Sequence, residues 1–271
     1  GIGYYENGNK IYEGDLQNDK AEGKGIYYDE NGNKIYEGDF KNGKFEGKGI
    51  GYYENGNKIY EGDFKNGKAE GKGIYYDENG NKRYEGDFKN GKYEGKGTMY
   101  FNDGNRYEGD FKNGEFEGNG KFFWNNGDKF EGQYKGDRIN GKGTYYYLNG
   151  DKYVGDWKND LREGKGIFYW ENGNKYEGDF KNDEREGKGI LYYKNGNRYE
   201  GGFKNGMAQG KGKFFYNKGD RYEGGFKNDK LDGKGIFYFK DGKKEKHVYE
   251  DDRLVSHKEI SELINNFLSA I

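Results

Sequence analysis

Aromatic and polar residues alternate along this chain in short runs that return at a nearly constant spacing. Each run opens on an aromatic anchor residue, and successive anchors are 24 residues apart for three steps and 23 apart for six more. A Gly-x-Gly follows eleven residues after every anchor. A fixed period of this length is typical of repeat architectures. The anchors are Tyr12, Tyr36, Tyr60, Tyr84, Tyr107, Phe130, Tyr153, Tyr176, Tyr199 and Tyr222.

Within each repeat the alternation predicts two short β-strands joined by tight turns. In one copy, Tyr36 and Phe40 share a face with the second-strand residues Phe45, Gly47 and Gly49, whereas charged residues occupy the other face. Asn-Gly dipeptides between the strands tolerate the positive φ of hairpin turns, and the copies with Asn-Asp predict a different turn type. We expect rings to lie over the glycine backbone of a neighbouring strand, in an all-β, single-layer antiparallel sheet.

Composition adds that the buried material is aromatic. Aliphatic residues are scarce, but the formal net charge is only −2 and aromatic residues make up 19% of the chain, which favours a folded protein over a disordered one. The balance of 47 basic and 49 acidic residues gives no pull toward nucleic acid. The absence of Cys excludes disulfides and thiolate metal sites. No apolar run reaches transmembrane length, and we expect a cytoplasmic protein.

The consensus Tyr-Glu-Gly-Asp-Phe-Lys-Asn-Gly-Lys-x-Glu-Gly-Lys-Gly resembles the MORN repeat (membrane occupation and recognition nexus) over about residues 1 to 240. The resemblance implies an elongated, twisted single-layer antiparallel sheet of stacked β-hairpins with an aromatic-lined groove. It also implies a scaffold that supports protein contacts and dimers, and for some members phospholipid binding has been proposed. Two departures weaken the transfer of a ligand: Phe dominates where Trp is usual, apart from Trp157, and Glu replaces the usual His before Gly-x-Gly. The Glu residues are Glu22, Glu46, Glu70 and Glu94.

Three segments follow from this reading: a repeat array over residues 1–243 with a partial first copy, a degenerate last strand and turn over 244–255, and an amphipathic helix over 256–271. The first residues match a stretch from the middle of a repeat, so we expect a shortened or processed product. Ser256 and Glu259 form a capping box. The helix would cap the last hairpin, anchor a partner or second copy, or contact a membrane. Its docking face comprises Ile260, Leu263, Ile264, Phe267, Leu268 and Ile271.

Catalysis is disfavoured by the distribution of reactive residues. His occurs only at 247 and 257, and Ser only at 256, 261 and 269, so the repeats cannot hold a Ser–His or Cys–His pair. Carboxylate pairs such as Glu37 and Asp39 recur in most copies, and ten equivalent catalytic sites are implausible. We therefore expect a non-enzymatic protein without cofactor or metal.

The sequence favours a scaffold that binds a helix or peptide of a protein partner along the aromatic groove. Self-association and a phospholipid-binding or membrane-tethering role stay open as alternatives. The residue two before each Gly-x-Gly varies while its neighbours repeat, which indicates either drift at a tolerant position or an apolar binding stretch. The predicted groove comprises Phe45, Tyr93, Phe116 and Ile139 of this variable column, with Tyr36, Tyr60, Tyr84, Tyr107, Phe40, Phe64, Phe88 and Phe111.

Overall fold

The structure, a computed structural model, describes residues 1–255 as strands and turns. The predicted C-terminal helix and its docking face, residues 256–271, lie outside the described residues. The chain divides into two compact units, unit 1 from Gly1 to Arg138 and unit 2 from Ile139 onward. The described residues form 23 β-strands and no helix.

Strand lengths are nearly uniform because each repeat contributes the same pair of strands. Unit 1 contains β1 (Ile2–Tyr4), β2 (Lys10–Gln17), β3 (Lys20–Tyr28), β4 (Lys34–Lys41), β5 (Lys44–Tyr52), β6 (Lys58–Lys65), β7 (Lys68–Tyr76), β8 (Lys82–Lys89), β9 (Lys92–Tyr100), β10 (Arg106–Lys112), β11 (Glu115–Phe123) and β12 (Lys129–Lys135). β13 (Arg138–Tyr146) begins at the last residue of unit 1. Unit 2 continues with β14 (Lys152–Lys158), β15 (Leu161–Tyr169), β16 (Lys175–Lys181), β17 (Glu184–Tyr192), β18 (Arg198–Lys204), β19 (Met207–Phe215), β20 (Arg221–Lys227), β21 (Lys230–Tyr238), β22 (Lys244–Glu250) and β23 (Arg253–Leu254).

Within each unit, every strand pairs antiparallel with the strands before and after it in the chain. The glycines set a repeating register: Gly38 of β4 lies opposite Gly25 of β3 on one side and Gly49 of β5 on the other. The same glycine pairing recurs in unit 2, where Gly178 lies opposite Gly166 and Gly189. The predicted all-β antiparallel sheet of stacked hairpins is therefore confirmed.

The prediction of a different turn type for the Asn-Asp copies is wrong. Asn42 and Gly43 both have positive φ, 51° and 77°, as a two-residue hairpin turn requires. Asn159 and Asp160 adopt the same conformation, with φ of 49° and 70°. Asp tolerates this region because its short polar side chain can bond locally. The Asp160 carboxylate accepts a hydrogen bond from the backbone N–H of Ile139 at 2.8 Å, which supports the turn.

The core of nine repeats is a tyrosine ring lying over a pair of opposed glycines, and Phe130 is the anchor of the remaining one. A Cβ added to Gly38 would lie 2.6 Å from the Tyr36 hydroxyl and 2.5 Å from the Gly49 Cα. The Tyr36 hydroxyl donates a hydrogen bond to the backbone carbonyl of Asp39 at 2.9 Å, so the ring lies along its own strand, β4. The expected ring-over-glycine packing is present because only bare backbone leaves room for the ring.

The first glycine of Gly-x-Gly has a different role from the one expected. Gly47 was expected to share a face with Phe45 and Gly49, but the register shifts at Asp39 and breaks the alternation. Gly47 has a φ of +60°, and a Cβ there would lie 2.6 Å from the Asp39 carboxylate, not beneath a ring. That carboxylate accepts a hydrogen bond from the Lys48 backbone N–H at 2.9 Å. Glycine is therefore needed at Gly47 for the left-handed backbone of a bulge.

Candidate functional site

The anchor tyrosines and the phenylalanines four residues later belong to the core. The Tyr36 ring is fully buried, and Phe40 and Phe64 meet it edge-on, each with its centroid 5.1 Å away. Phe64 is half-buried. The other predicted groove residues of these two kinds are buried: Tyr60, Tyr84, Tyr107, Phe88 and Phe111. A partner-binding role for these residues stays a prediction, and their burial leaves almost no ring area for a partner to contact.

The variable column covers the anchor rings. Phe45, Tyr93 and Phe116 stack on Tyr36, Tyr84 and Tyr107 with ring centroids 3.8, 3.9 and 3.7 Å apart. Phe116 is buried, as is Ile139 at the start of unit 2, whereas Phe45 and Tyr93 are half-buried. The column thus has a packing role that neither sequence interpretation included. Binding by its two half-buried rings stays a prediction.

Arginine covers the anchor in two repeats of unit 2. The Arg162 guanidinium lies 5.7 Å from the Tyr153 ring centroid, and its Nε lies 3.1 Å from the Asp183 carboxylate. The Arg185 guanidinium lies 5.6 Å from the ring centroid of Tyr176. A guanidinium over a ring face is an attractive cation–π arrangement. These arginines therefore replace an aromatic cover with a charged one.

Where the variable residue is alanine, the anchor can lose its cover. At Ala21 a cavity of about 440 Å³ opens beside Tyr12, and Phe40 and Phe45 line it as well. Tyr12 keeps 7% of its surface exposed, whereas Tyr36 is fully buried beneath Phe45. Ala208 differs, because it is itself buried with only 4% of its surface exposed.

A second row of rings, which sequence reasoning missed, lies on the anchor face of unit 2. Its register is fixed by pairs such as Phe214 opposite Tyr222, so the row shares the face of the anchors. From Tyr193 to Phe239 successive rings are in contact: Phe214 and Tyr216 have centroids 4.8 Å apart, and Tyr216 and Phe237 are 5.6 Å apart. Every member is half-buried. This aromatic ladder comprises Tyr145, Tyr147, Trp170, Tyr193, Phe214, Tyr216, Phe237 and Phe239.

The ladder had a sequence signal, because two or three aromatic residues often follow Gly-x-Gly. In one copy Phe168, Tyr169 and Trp170 come in succession. Alternation places the first and third on the anchor face and Tyr169 on the other, where the Lys152 ammonium lies 4.5 Å from its ring centroid. The predicted groove included only anchor-strand rings and the variable column, so it left out the aromatic residues that follow Gly-x-Gly.

The opposite face carries a column of lysines, each the middle residue of a Gly-x-Gly. In six repeats the ammonium pairs with an aspartate on the next strand at 2.5–2.8 Å: Lys24–Asp39, Lys48–Asp63, Lys72–Asp87, Lys96–Asp110, Lys142–Asp156 and Lys165–Asp179. The Lys24 ammonium holds the pKa of Asp39 below its ordinary value, and Lys72 does the same for Asp87. These pairs neutralise the column over most of its length.

Glycine-floored grooves run along this lysine face in both units. In unit 1 the groove has a volume of about 640 Å³, and in unit 2 about 1750 Å³. Lysine, glutamate, glycine and isoleucine residues line both grooves. The His247 ring lies on the anchor face, where its centroid is 5.4 Å from that of Phe237, and its two nitrogens lie 3.1 Å from the Tyr249 hydroxyl and the Glu245 carboxylate.

The described part of the chain offers no arrangement typical of a metal centre: within residues 1–255 there is no group of three or more His, Cys, Asp or Glu side chains that could hold an ion. Among the same residues, no helix is long and apolar enough to cross a membrane.

Stacked β-hairpins with a tyrosine over the glycine pair of nine repeats define a β-repeat protein. The MORN repeat model matches ten consecutive segments: residues 12–34, 36–58, 60–82, 84–106, 107–129, 130–152, 153–175, 176–198, 199–221 and 222–244. The chain therefore belongs to the MORN repeat family, as the sequence predicted. No curated protein matches it.

Solved structures with some likeness include domains of Sas-4 and CPAP. The TCP10c domain of Drosophila melanogaster Sas-4 is 15% identical, with a TM-score of 0.36 over 57% of this chain and 93% of that one. The wild-type TCP10 domain of Danio rerio CPAP is 9% identical, with a TM-score of 0.25 over 94% of this chain and 97% of that one. Likeness at this level carries no argument about function.

Proposed function

We propose that the protein is a non-catalytic scaffold that binds a protein partner through the aromatic ladder of unit 2. MORN repeats are consistent with a protein-binding scaffold. The observation that supports this surface is a row of half-buried rings, contiguous from Tyr193 to Phe239, beside a core that is already closed. Tyr, Trp and Phe are enriched at protein interfaces because they bury a large area with few rotatable bonds.

The partner in this proposal is a helix or peptide that lies along the ladder. Successive rings such as Tyr193 and Phe214, with centroids 5.8 Å apart, form an apolar strip along this part of the ladder. An amphipathic helix or an extended peptide buries its apolar side chains in such a strip. Self-association would use the same surface, with a second copy of the chain in place of the partner.

The test compares two matched tyrosine pairs on opposite faces. Tyr193→Gln with Tyr216→Gln removes two ladder rings, whereas Tyr169→Gln with Tyr192→Gln removes two half-buried rings of the lysine face. Each purified variant, with its thermal unfolding measured, is used to capture proteins from an extract of the source cells. We expect a set of proteins retained by wild type and by the lysine-face variant but lost from the ladder variant.

Equal capture by the two variants would remove the ladder as the binding surface. The phospholipid alternative has its own assay, which is co-sedimentation with anionic vesicles at physiological salt. Retention on vesicles that the ladder variant abolishes would assign the surface to a membrane instead. Light scattering of the wild type and the ladder variant decides whether self-association uses the same rings.

A further inference from the structure

The lysine column loses its acidic partners near the end of unit 2. By register, Lys188 lies opposite Gly202, Lys211 opposite Gly225, and Lys234 opposite Val248, at the positions where other repeats place aspartate. All three lysines are exposed, and none forms an ion pair within residues 1–255. Asp179, the carboxylate that still acts on Lys188, pairs with Lys165 at 2.5 Å.

A further acidic position is lost in the same place. Most repeats have glutamate directly before Gly-x-Gly, but Gln209 stands there in the ninth copy and lines the groove. The groove glutamates Glu200 and Glu223 are neutralised by arginines, at 2.8 Å from Arg198 and 2.9 Å from Arg221. The unbalanced charge of this groove is therefore positive.

The unit 2 groove also has an apolar wall. Ile167, Ile190 and Ile236 line it beside the lysine column, and Ile236 is 37% exposed. Glycines form the floor between the two walls, so a ligand can approach the sheet backbone closely. The groove thus presents cations along one side and aliphatic side chains along the other.

We propose that this groove binds an acidic segment of a protein partner, in an extended polyproline II conformation with a carboxylate at every third residue. The three lysines sit on alternate strands, β17, β19 and β21, so their backbones are roughly 9.6 Å apart. A polyproline II helix rises about 9.3 Å per turn of three residues, which places every third side chain on one side. A β-strand repeats its face at about 6.7 Å and does not match this spacing.

This inference goes beyond the proposed function, because the groove lies on the face opposite the aromatic ladder. Unit 1 supplies an internal comparison. Its groove has the same glycine floor and isoleucine wall, but its lysines are neutralised by Asp39 and Asp63. The charge complementarity of the unit 2 groove therefore distinguishes two otherwise similar surfaces of one chain.

The experiment measures binding of a fluorescent peptide of four Glu-Pro-Leu triplets to the full chain by anisotropy. A peptide of four Lys-Pro-Leu triplets is the charge-reversed control. The test variant is Lys188→Gln, Lys211→Gln, Lys234→Gln. The matched control variant is Lys48→Gln, Lys72→Gln, Lys96→Gln, which changes the same column where aspartates pair with it. Restoring aspartate at Gly202 is avoided, because a Cβ there would lie 2.6 Å from the Gln209 carbonyl oxygen.

We expect the chain to bind the acidic peptide alone, and to bind it more weakly as salt rises. The test variant should bind roughly tenfold more weakly, as three exposed charge contacts would imply, and the control variant should bind like wild type. Equal weakening in both variants, or no binding of the acidic peptide at low salt, would overturn the proposal.

Two further results would overturn the proposal, because each would identify another occupant of the groove. Anionic vesicles that bind through the same three lysines at physiological salt would assign the groove to a membrane surface. A peptide of residues 256–271 that displaces the acidic peptide with higher affinity would assign it to the end of this chain. Equal capture of proteins by the ladder variant and the lysine-face variant, with peptide binding intact, would refute the proposed function and leave the groove proposal unaffected.

Discussion

Replacing the second glycine of a Gly-x-Gly should cost far more stability than replacing a nearby glycine of the same strand. In Gly49→Ala the new methyl would lie 2.5 Å from Cε2 of the Tyr36 ring, so the ring must move. Overpacking of this kind costs about 1–3 kcal/mol. Moving the ring also breaks the hydrogen bond from the Tyr36 hydroxyl to the Asp39 carbonyl, which contributes about 0.5–1.5 kcal/mol. The expected loss is about 2–4 kcal/mol.

Gly51→Ala is the matched control, two residues further along β5. Its added Cβ would meet nothing closer than the Ile35 carbonyl oxygen at 3.9 Å. Alanine also reduces the freedom of the unfolded chain, so this change should be neutral or stabilising by up to about 1 kcal/mol. The contrast separates ring displacement from a general effect of adding a methyl to a strand.

Denaturant unfolding followed by circular dichroism gives the overall change in stability for both variants. Repeat arrays can unfold in parts, so hydrogen exchange of amides in β4, β5 and β6 should accompany it. We expect faster exchange around Tyr36 in Gly49→Ala and unchanged exchange in Gly51→Ala. Tyr36→Phe combined with Gly49→Ala should cost less than the sum of the single changes, because both remove the same hydrogen bond. Equal stability of the two alanine variants would refute the ring-over-glycine argument.

Two further changes test the covers and the buried hydroxyls. Ala21→Phe should fill the cavity beside Tyr12 and stabilise by about 1–2 kcal/mol, whereas Ala208→Phe, at a buried site, should destabilise by about 1–3 kcal/mol. Shifts of the same sign in thermal unfolding would contradict this. Burial raises the pKa of anchor tyrosines such as Tyr36 above the ordinary value of 10.0, so their contribution to stability is complete below pH 10 and is lost as the pH rises further. Tyrosinate absorbance should therefore rise together with unfolding by circular dichroism; ionisation of these tyrosines in a chain that stays folded would contradict it.

The period and the alternation predicted the hairpins and the tyrosine over glycine, because both depend on spacing within one repeat. They could not separate the two glycines of Gly-x-Gly. Gly47 and Gly49 look equivalent in sequence, since glycine fits either a left-handed backbone or a site beneath a ring. The difference arises from the register shift at Asp39, which depends on how two strands pair. The same limit explains the turn error at Asn159-Asp160, where aspartate adopts the conformation expected of glycine.

The candidate site was harder to predict because residue type does not fix exposure. Tyr36 and Tyr193 are both tyrosines on the anchor faces of their own units, yet the first is fully buried and the second half-buried. The difference depends on neighbouring rings that cover each one, such as Phe45 stacked over Tyr36. Besides the variable column, the sequence prediction included the rings that repeat most regularly, and those rings belong to the core.

The two faces of the sheet tolerate variation to very different degrees, and this suggests where such a chain can encode a binding preference. A change under a ring costs about 2–4 kcal/mol by the argument for Gly49, so the anchors and the glycines beneath them are held nearly constant. An exposed lysine–aspartate pair contributes only about 0–1 kcal/mol, so replacing aspartate with Gly202 or Gly225 costs the fold little. The same replacement leaves the lysine opposite it without an acidic partner in the groove. The effect of this lysine on an acidic ligand is large compared with the effect of the replacement on folding. Small departures from the repeat on the lysine face are therefore better indicators of binding than the regular aromatic positions.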